Sequence, residues 1–159
     1  MNNIVENLQE HETTIFIKSG REKSLRRFHP WVFSGAIEPD SVRSTDLPVV
    51  TVRGRQGEFL GIGSYSASSQ ISVRIWSFTE NCCIDRNFFK MRLERAFLLR
   101  RATGLLTATG GCRLVSSESD LLPGFVIDKY GDFAIMQISS TGAEFFKKVV
   151  AELLISEFG

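Results

Sequence analysis

Hydrophobic and polar positions alternate over several short stretches in the first half of the chain. Thr13–Lys18 (TTIFIK) is β-branched and alternating and predicts a first strand, broken at Gly20. Glu22–Phe28 is polar and predicts one or two helical turns, stopped by Pro30. Trp31–Phe33 reads as a buried apolar segment, and Gly35–Asp46 is rich in turn residues. Pro48–Arg53 and Glu58–Ile62 flank the turn Arg53–Gly57 and predict a hairpin. In Gln70–Phe78, Ile71, Val73 and Ile75 fall on one side and Ser72, Arg74 and Trp76 on the other. Short strands at this spacing with one short helix predict a small, partly closed barrel.

After Phe78 the apolar period lengthens. Phe89, Leu93, Ala96 and Phe97 form a stripe at helical spacing, and Asp85 is placed to cap a helix that runs to about Arg101. Lys90, Arg92, Arg95, Arg100 and Arg101 cover its other faces. Residues 107–111 end this segment. Arg113–Val115, Gly124–Asp128 and Phe133–Ile138 predict strands, with a hairpin turn at Asp128–Asp132 in which Gly131 takes positive φ. Ala143–Ser156 is amphipathic and predicts a last helix. Three strands and a helix usually pack on a further layer, so this second domain reads as incomplete. The expected organisation is α+β. Residues 1–12 form a flexible polar tail, 13–79 a β pseudo-barrel and 84–159 a small, truncated α+β domain.

Composition narrows the function classes. Of 159 residues 43% are hydrophobic, enough for a folded core, and no stretch approaches the roughly 18–20 apolar residues of a membrane span. The polar, acidic start MNNIVENLQEHETT is neither a secretory nor a transit signal, which makes the cytoplasm the default compartment. Cys82 and Cys83 are adjacent and Cys112 stands alone, so neither a disulfide framework nor a metal site is expected. The net charge of +1 conceals an asymmetry: residues 1–12 carry −3, residues 13–101 carry +7 and residues 102–159 carry −3. Of the 19 basic residues 13 are Arg, the side chain best suited to bidentate phosphate contact.

The densest basic run is Lys18, Arg21, Lys23, Arg26, Arg27 and His29, with Glu22 the one acid among them. On a short helix Lys23, Arg26 and Arg27 share a face. Five phosphate contacts there imply a log–log salt slope of about −3.5 to −4.5. The bland alternative is a solvated face without a ligand. His29 lacks a Ser or Cys nucleophile in a context that pairs with it, so it is read as a loop-positioning or phosphate-contacting residue beside a packed Trp31 and Phe33. Glu118 and Asp120 bring two carboxylates together, but a turn before Leu122–Gly124 explains them without acid–base chemistry. Tyr65 and Trp76 are candidate base-stacking rings. No catalytic residue, cofactor loop or metal ligand set is predicted.

Four stretches together carry a resemblance. KSGREKSLRRFHPWVFSGAI (Lys18–Ile37) and SYSASSQISVRIWSF (Ser64–Phe78) resemble the opening and closing parts of the PUA domain of bacterial 23S ribosomal RNA cytosine-5 methyltransferases of the RlmI type. IDRNFFKMRLERA (Ile84–Ala96) resembles the family's linking helix, and RLVSSESDLLPGFVIDKYGDFAIMQ (Arg113–Gln137) its central domain. The family usually has glycine where this chain has Ser117 and Leu121. The resemblance implies an RNA-binding pseudo-barrel followed by a central α+β domain, with ribosomal RNA as partner. In the family a Rossmann-like domain binds S-adenosyl-L-methionine and holds the catalytic cysteines. No counterpart of it is recognisable here. The expected role is therefore RNA recognition without catalysis by this chain alone. The alternatives are a stand-alone RNA-binding adaptor and a module that self-associates through its incomplete second domain.

Overall fold

A computed structural model describes residues 13–106 and 110–158. The tail expected over residues 1–12, and most of the break expected over 107–111, lie outside the described residues. The architecture is α+β, and the chain divides into two compact units, one ending at Ile84 and the other beginning at Asp85.

In the first unit, β1 (Thr14–Ile17), β2 (Trp31–Phe33), β3 (Leu47–Gly54), β4 (Phe59–Tyr65) and β5 (Ile71–Ser77) make one sheet in the order β1-β3-β4-β5-β2. β1 runs parallel to β3, and the other neighbours are antiparallel. Alternation delivers one side of each strand to a single core. Ile15, Ile17, Val32, Val50, Val52, Val73 and Ile75 meet there with Leu25, Ile37, Leu60 and Tyr65. β4 and β5 approach so closely at Gly63 that a Cβ would lie 2.4 Å from the Arg74 carbonyl oxygen, which reserves the position for glycine. The two edges of the sheet are joined by the chain that follows β2. Ile17 bridges Ile37, the Lys18 amide donates to Ala36 O at 2.8 Å, and the Glu38 amide donates to Phe16 O at 2.8 Å. These bonds curl the sheet into the partly closed barrel expected from its strand spacing.

Local differences from the sequence reading have physical causes. Glu22–Phe28 is not an α-helix. It tightens into a 3₁₀ turn over Leu25–Arg27, ended by Phe28 at φ 62°, whose amide returns to Leu25 O. Trp31–Phe33 is not buried as a block. It is an edge strand, so Val32 alone enters the core, while Trp31 is half-buried and Phe33 is 51% exposed. Ser72 and Trp76 are buried, leaving Arg74 the partly open member of its side of β5.

In the second unit, α1 (Arg86–Ala102) starts where Asp85 accepts from the Phe88 amide at 2.8 Å. Its stripe Phe89, Leu93, Ala96 and Phe97 is buried as expected. Strands β6 (Gly111–Ser116), β7 (Phe125–Tyr130) and β8 (Phe133–Ile138) form an antiparallel sheet in that order, and α2 (Thr141–Phe158) follows. α2 opens two residues before the expected Ala143, because Ser140 caps it: Ser140 Oγ accepts from the Ala143 amide at 3.2 Å. Gly131 takes φ 56° in the β7–β8 turn. Phe89 packs against Phe146 at 4.8 Å and Phe125 at 6.2 Å between ring centroids.

Arg100 departs most from expectation. It is buried at 9% exposure rather than solvated, and it grips Asp120 with two hydrogen bonds of 2.5 and 2.7 Å. Its Nε donates to Arg113 O at 2.9 Å, and Asp120 also accepts from the Ser116 amide at 2.6 Å. The turn Ser117–Asp120 is thus fastened to α1, and Asp120 is held as a structural carboxylate. Ser117 and Leu121, which stand where the family usually has glycine, both take positive φ, at 46° and 60°.

Candidate nucleic-acid interface

The loop between β1 and β2 carries the basic run, and the structure sorts its members. Lys18 donates from Nζ to Gly35 O at 3.0 Å, across the loop that closes the barrel. Arg21 lines a cavity of about 390 Å³ with Ser24, Leu25, Trp31, Val32, Phe33, Gly35 and Ala36. Lys23 and Arg27 are exposed, and neither is ion-paired among the described residues. Arg26 turns away to the β3–β4 hairpin, where it pairs with Glu58 at 2.9 Å and lies 3.8 Å from Glu22. These ion pairs hold the half-exposed Arg26 guanidinium over the hairpin rather than beside β2.

His29 is exposed and fixed in orientation. Its Nδ1 accepts from the Trp31 amide at 3.2 Å, so in the neutral ring the proton sits on Nε2, which is left to donate outward. Its ring stands edge-on to Trp31 at 5.6 Å, and Trp31 stands edge-on to Phe33 at 6.5 Å. In the β2–β5 ladder Trp31 lies directly opposite Arg74, so the two side chains emerge on the same face. Arg74 carries no carboxylate partner among the described residues, and its Nη1 donates to Ile71 O at 3.2 Å.

Lys18, Arg21 and His29 are therefore brought together around β2, while Arg26 is not. Two contributors escaped the sequence reading: Phe33, assigned to the core, and Arg74, whose place beside Trp31 depends on strand pairing. The strand period W-V-F was the available signal, since it puts Trp31 and Phe33 on the side opposite Val32. The other candidate rings are withdrawn from solvent. Trp76 is 2% exposed, and Tyr65, also buried, donates its hydroxyl to Arg43 O at 3.0 Å.

The described residues do not fit the S-adenosylmethionine that the resemblance implies. Their cavity presents Arg21 and no carboxylate to hold a ribose, and the parallel pair β1–β3 carries no glycine-rich entry to a helix. Among them no three His, Cys, Asp or Glu side chains gather to hold a metal, and no helix is long and apolar enough to cross a membrane.

Comparison with known proteins places these features. A PUA-like domain family matches residues 15–78. Proteins named ribosomal RNA large subunit methyltransferase I are similar over most of the chain. That of Vibrio cholerae is 43% identical over 144 residues, 91% of this chain and 36% of the relative. That of Aliivibrio fischeri is 39% identical over 142 residues, 89% of this chain and 36% of the relative. The chain thus spans about a third of the length of the curated relatives it matches. Two solved structures share the fold at 19% identity, each over 89% of this chain and 36% of its own. One is assigned as a SAM-dependent methyltransferase from Streptococcus mutans, with a TM-score of 0.74. The other is assigned as a methyltransferase and is complexed with SAH, with a TM-score of 0.75.

Proposed function

Since residues 15–78 are a PUA-like domain and the chain is homologous over about nine-tenths of its length to ribosomal RNA large subunit methyltransferases I, we propose that it is the RNA-recognition portion of such an enzyme. The match running through both units of the fold is the observation that carries this reading. In it, the first unit docks on ribosomal RNA through Lys18, Arg21, Lys23, Arg27 and His29, assisted by Arg74, in the bacterial cytoplasm. The parent enzyme makes 5-methylcytosine in 23S ribosomal RNA. S-adenosylmethionine supplies the methyl group when bound, and its binding and the transfer chemistry belong to residues other than these. The chain's own contribution is to hold RNA.

Binding of the purified chain to large-subunit ribosomal RNA fragments at two salt concentrations tests this. With Arg26 engaged by Glu58, the five cations Lys18, Arg21, Lys23, Arg27 and Arg74 imply a log–log slope of about −3.5 to −4.5. Replacing Arg21 and Arg27 together with Ala is expected to flatten the slope by about 1.5 to 2 and leave the melting temperature unchanged. Absence of binding, binding without salt dependence, or methyl transfer by the chain alone counts against the reading.

A second reading, self-association, is favoured by β8. It is an edge strand of its sheet, with Phe133 76% and Ile135 60% exposed on one side. Sizing chromatography that finds a dimer persisting in high salt supports it. An assembly that salt dissolves is bridged by nucleic acid.

A further inference from the structure

We propose that the outer face of β2 receives unpaired bases, so that the first unit selects single-stranded over duplex RNA; this rests on reading the unit as an RNA-recognition module. Trp31 and Phe33 flank Val32 on β2, and the two-residue period of the strand puts both on one side while Val32 goes to the core; His29, two residues before Trp31 and outside the strand, sets its ring against Trp31. Their ring centroids are 5.6 and 6.5 Å apart, with planes crossing at 83° and 85°. Neighbouring rings therefore meet edge to face rather than covering one another. Phe33 is half open to solvent on an edge strand, a position whose apolar ring contributes little to the core.

Cations flank this row. Arg21 shares the cavity with Trp31 and Phe33, Lys18 reaches its rim at Gly35 O, and Arg74 lies opposite Trp31. No carboxylate lines the cavity. Aromatic faces beside guanidinium groups, without acids, match a chain of flat rings joined by phosphates. A duplex hides its base faces within the stack, whereas an unpaired stretch presents them, so the occupant is single-stranded RNA. The cavity volume of about 390 Å³ is that of a small-ligand site, sufficient for one ring system at a time.

The test compares an unpaired oligoribonucleotide with a hairpin stem of equal phosphate count, bound to the whole chain. The unpaired strand is expected to bind about tenfold more tightly. Phe33→Ala is expected to abolish that preference, with the salt slope and stem affinity unchanged. Emission supplies a second readout in the unaltered chain. Of the two tryptophans Trp76 is buried, so quenching on binding reports Trp31, and Trp31→Phe removes it. Equal affinity for both RNAs together with an inert Phe33→Ala overturns this inference while leaving RNA recognition standing. If neither RNA binds at any salt, the recognition reading itself fails and this inference falls with it.

Discussion

Single side chains decide how firmly the second unit is held. The Arg100–Asp120 pair joins a helix to a turn 20 residues away through two short hydrogen bonds. A buried ion pair adds little over a well-packed apolar pair, but breaking it strands a charge. Asp120→Ala leaves the guanidinium buried without its carboxylate and also orphans the Ser116 amide. It is expected to cost about 3–5 kcal/mol, read as a lower urea midpoint. Exposed Arg113 and half-buried Asp128 face each other across β6 and β7 and behave differently. The Arg113 guanidinium, donating at 2.9 and 3.0 Å, holds the Asp128 carboxyl below the usual range, and Asp128 in turn raises Arg113. Folded Asp128 thus releases its proton more readily than the unfolded chain does. Its contribution is complete above the unfolded value of about 3.9 and is lost as pH falls through the folded one. Asp128→Asn is expected to lower stability at about pH 6, with the difference from the unaltered chain shrinking as pH falls below the unfolded value of about 3.9 in urea titrations.

Elements were legible where one periodicity ran undisturbed. Strands β1, β3, β4 and β5 and the helix stripe Phe89, Leu93, Ala96 and Phe97 follow from spacing alone, because burial on one side imposes a period. The Asp85 cap was legible too. Asp85→Ala is expected to cost about 1 kcal/mol, measured as a lowered melting temperature. What stayed hidden needed a partner distant in sequence. Arg100 continues the stripe four residues after Ala96, yet a charge at that position reads as solvated until Asp120 is seen beside it. The exposure of Phe33 and the company of Arg74 depend on which strand lies at the sheet edge, and a three-residue apolar segment carries no such information. Arg26 shared the chemistry of its neighbours, and only the hairpin carrying Glu58 distinguishes it.

Across the whole molecule, charge and architecture are arranged by region. The overall charge is +1, while residues 13–101 carry +7 and residues 102–159 carry −3. In the proposed role, polyanion binding by a nearly neutral chain depends on local concentration of cations rather than on the total. The contacts at Ile17–Ile37 give that concentration its setting. They fasten the strand before the basic loop to the segment after β2, so the loop springs from two feet already fixed to one another. Folding of the barrel has then largely arranged these groups before any partner arrives. The rate of complex formation should follow diffusion and charge steering rather than a slow structural rearrangement, and a cut within the loop should leave its two stumps still seated on the barrel wall.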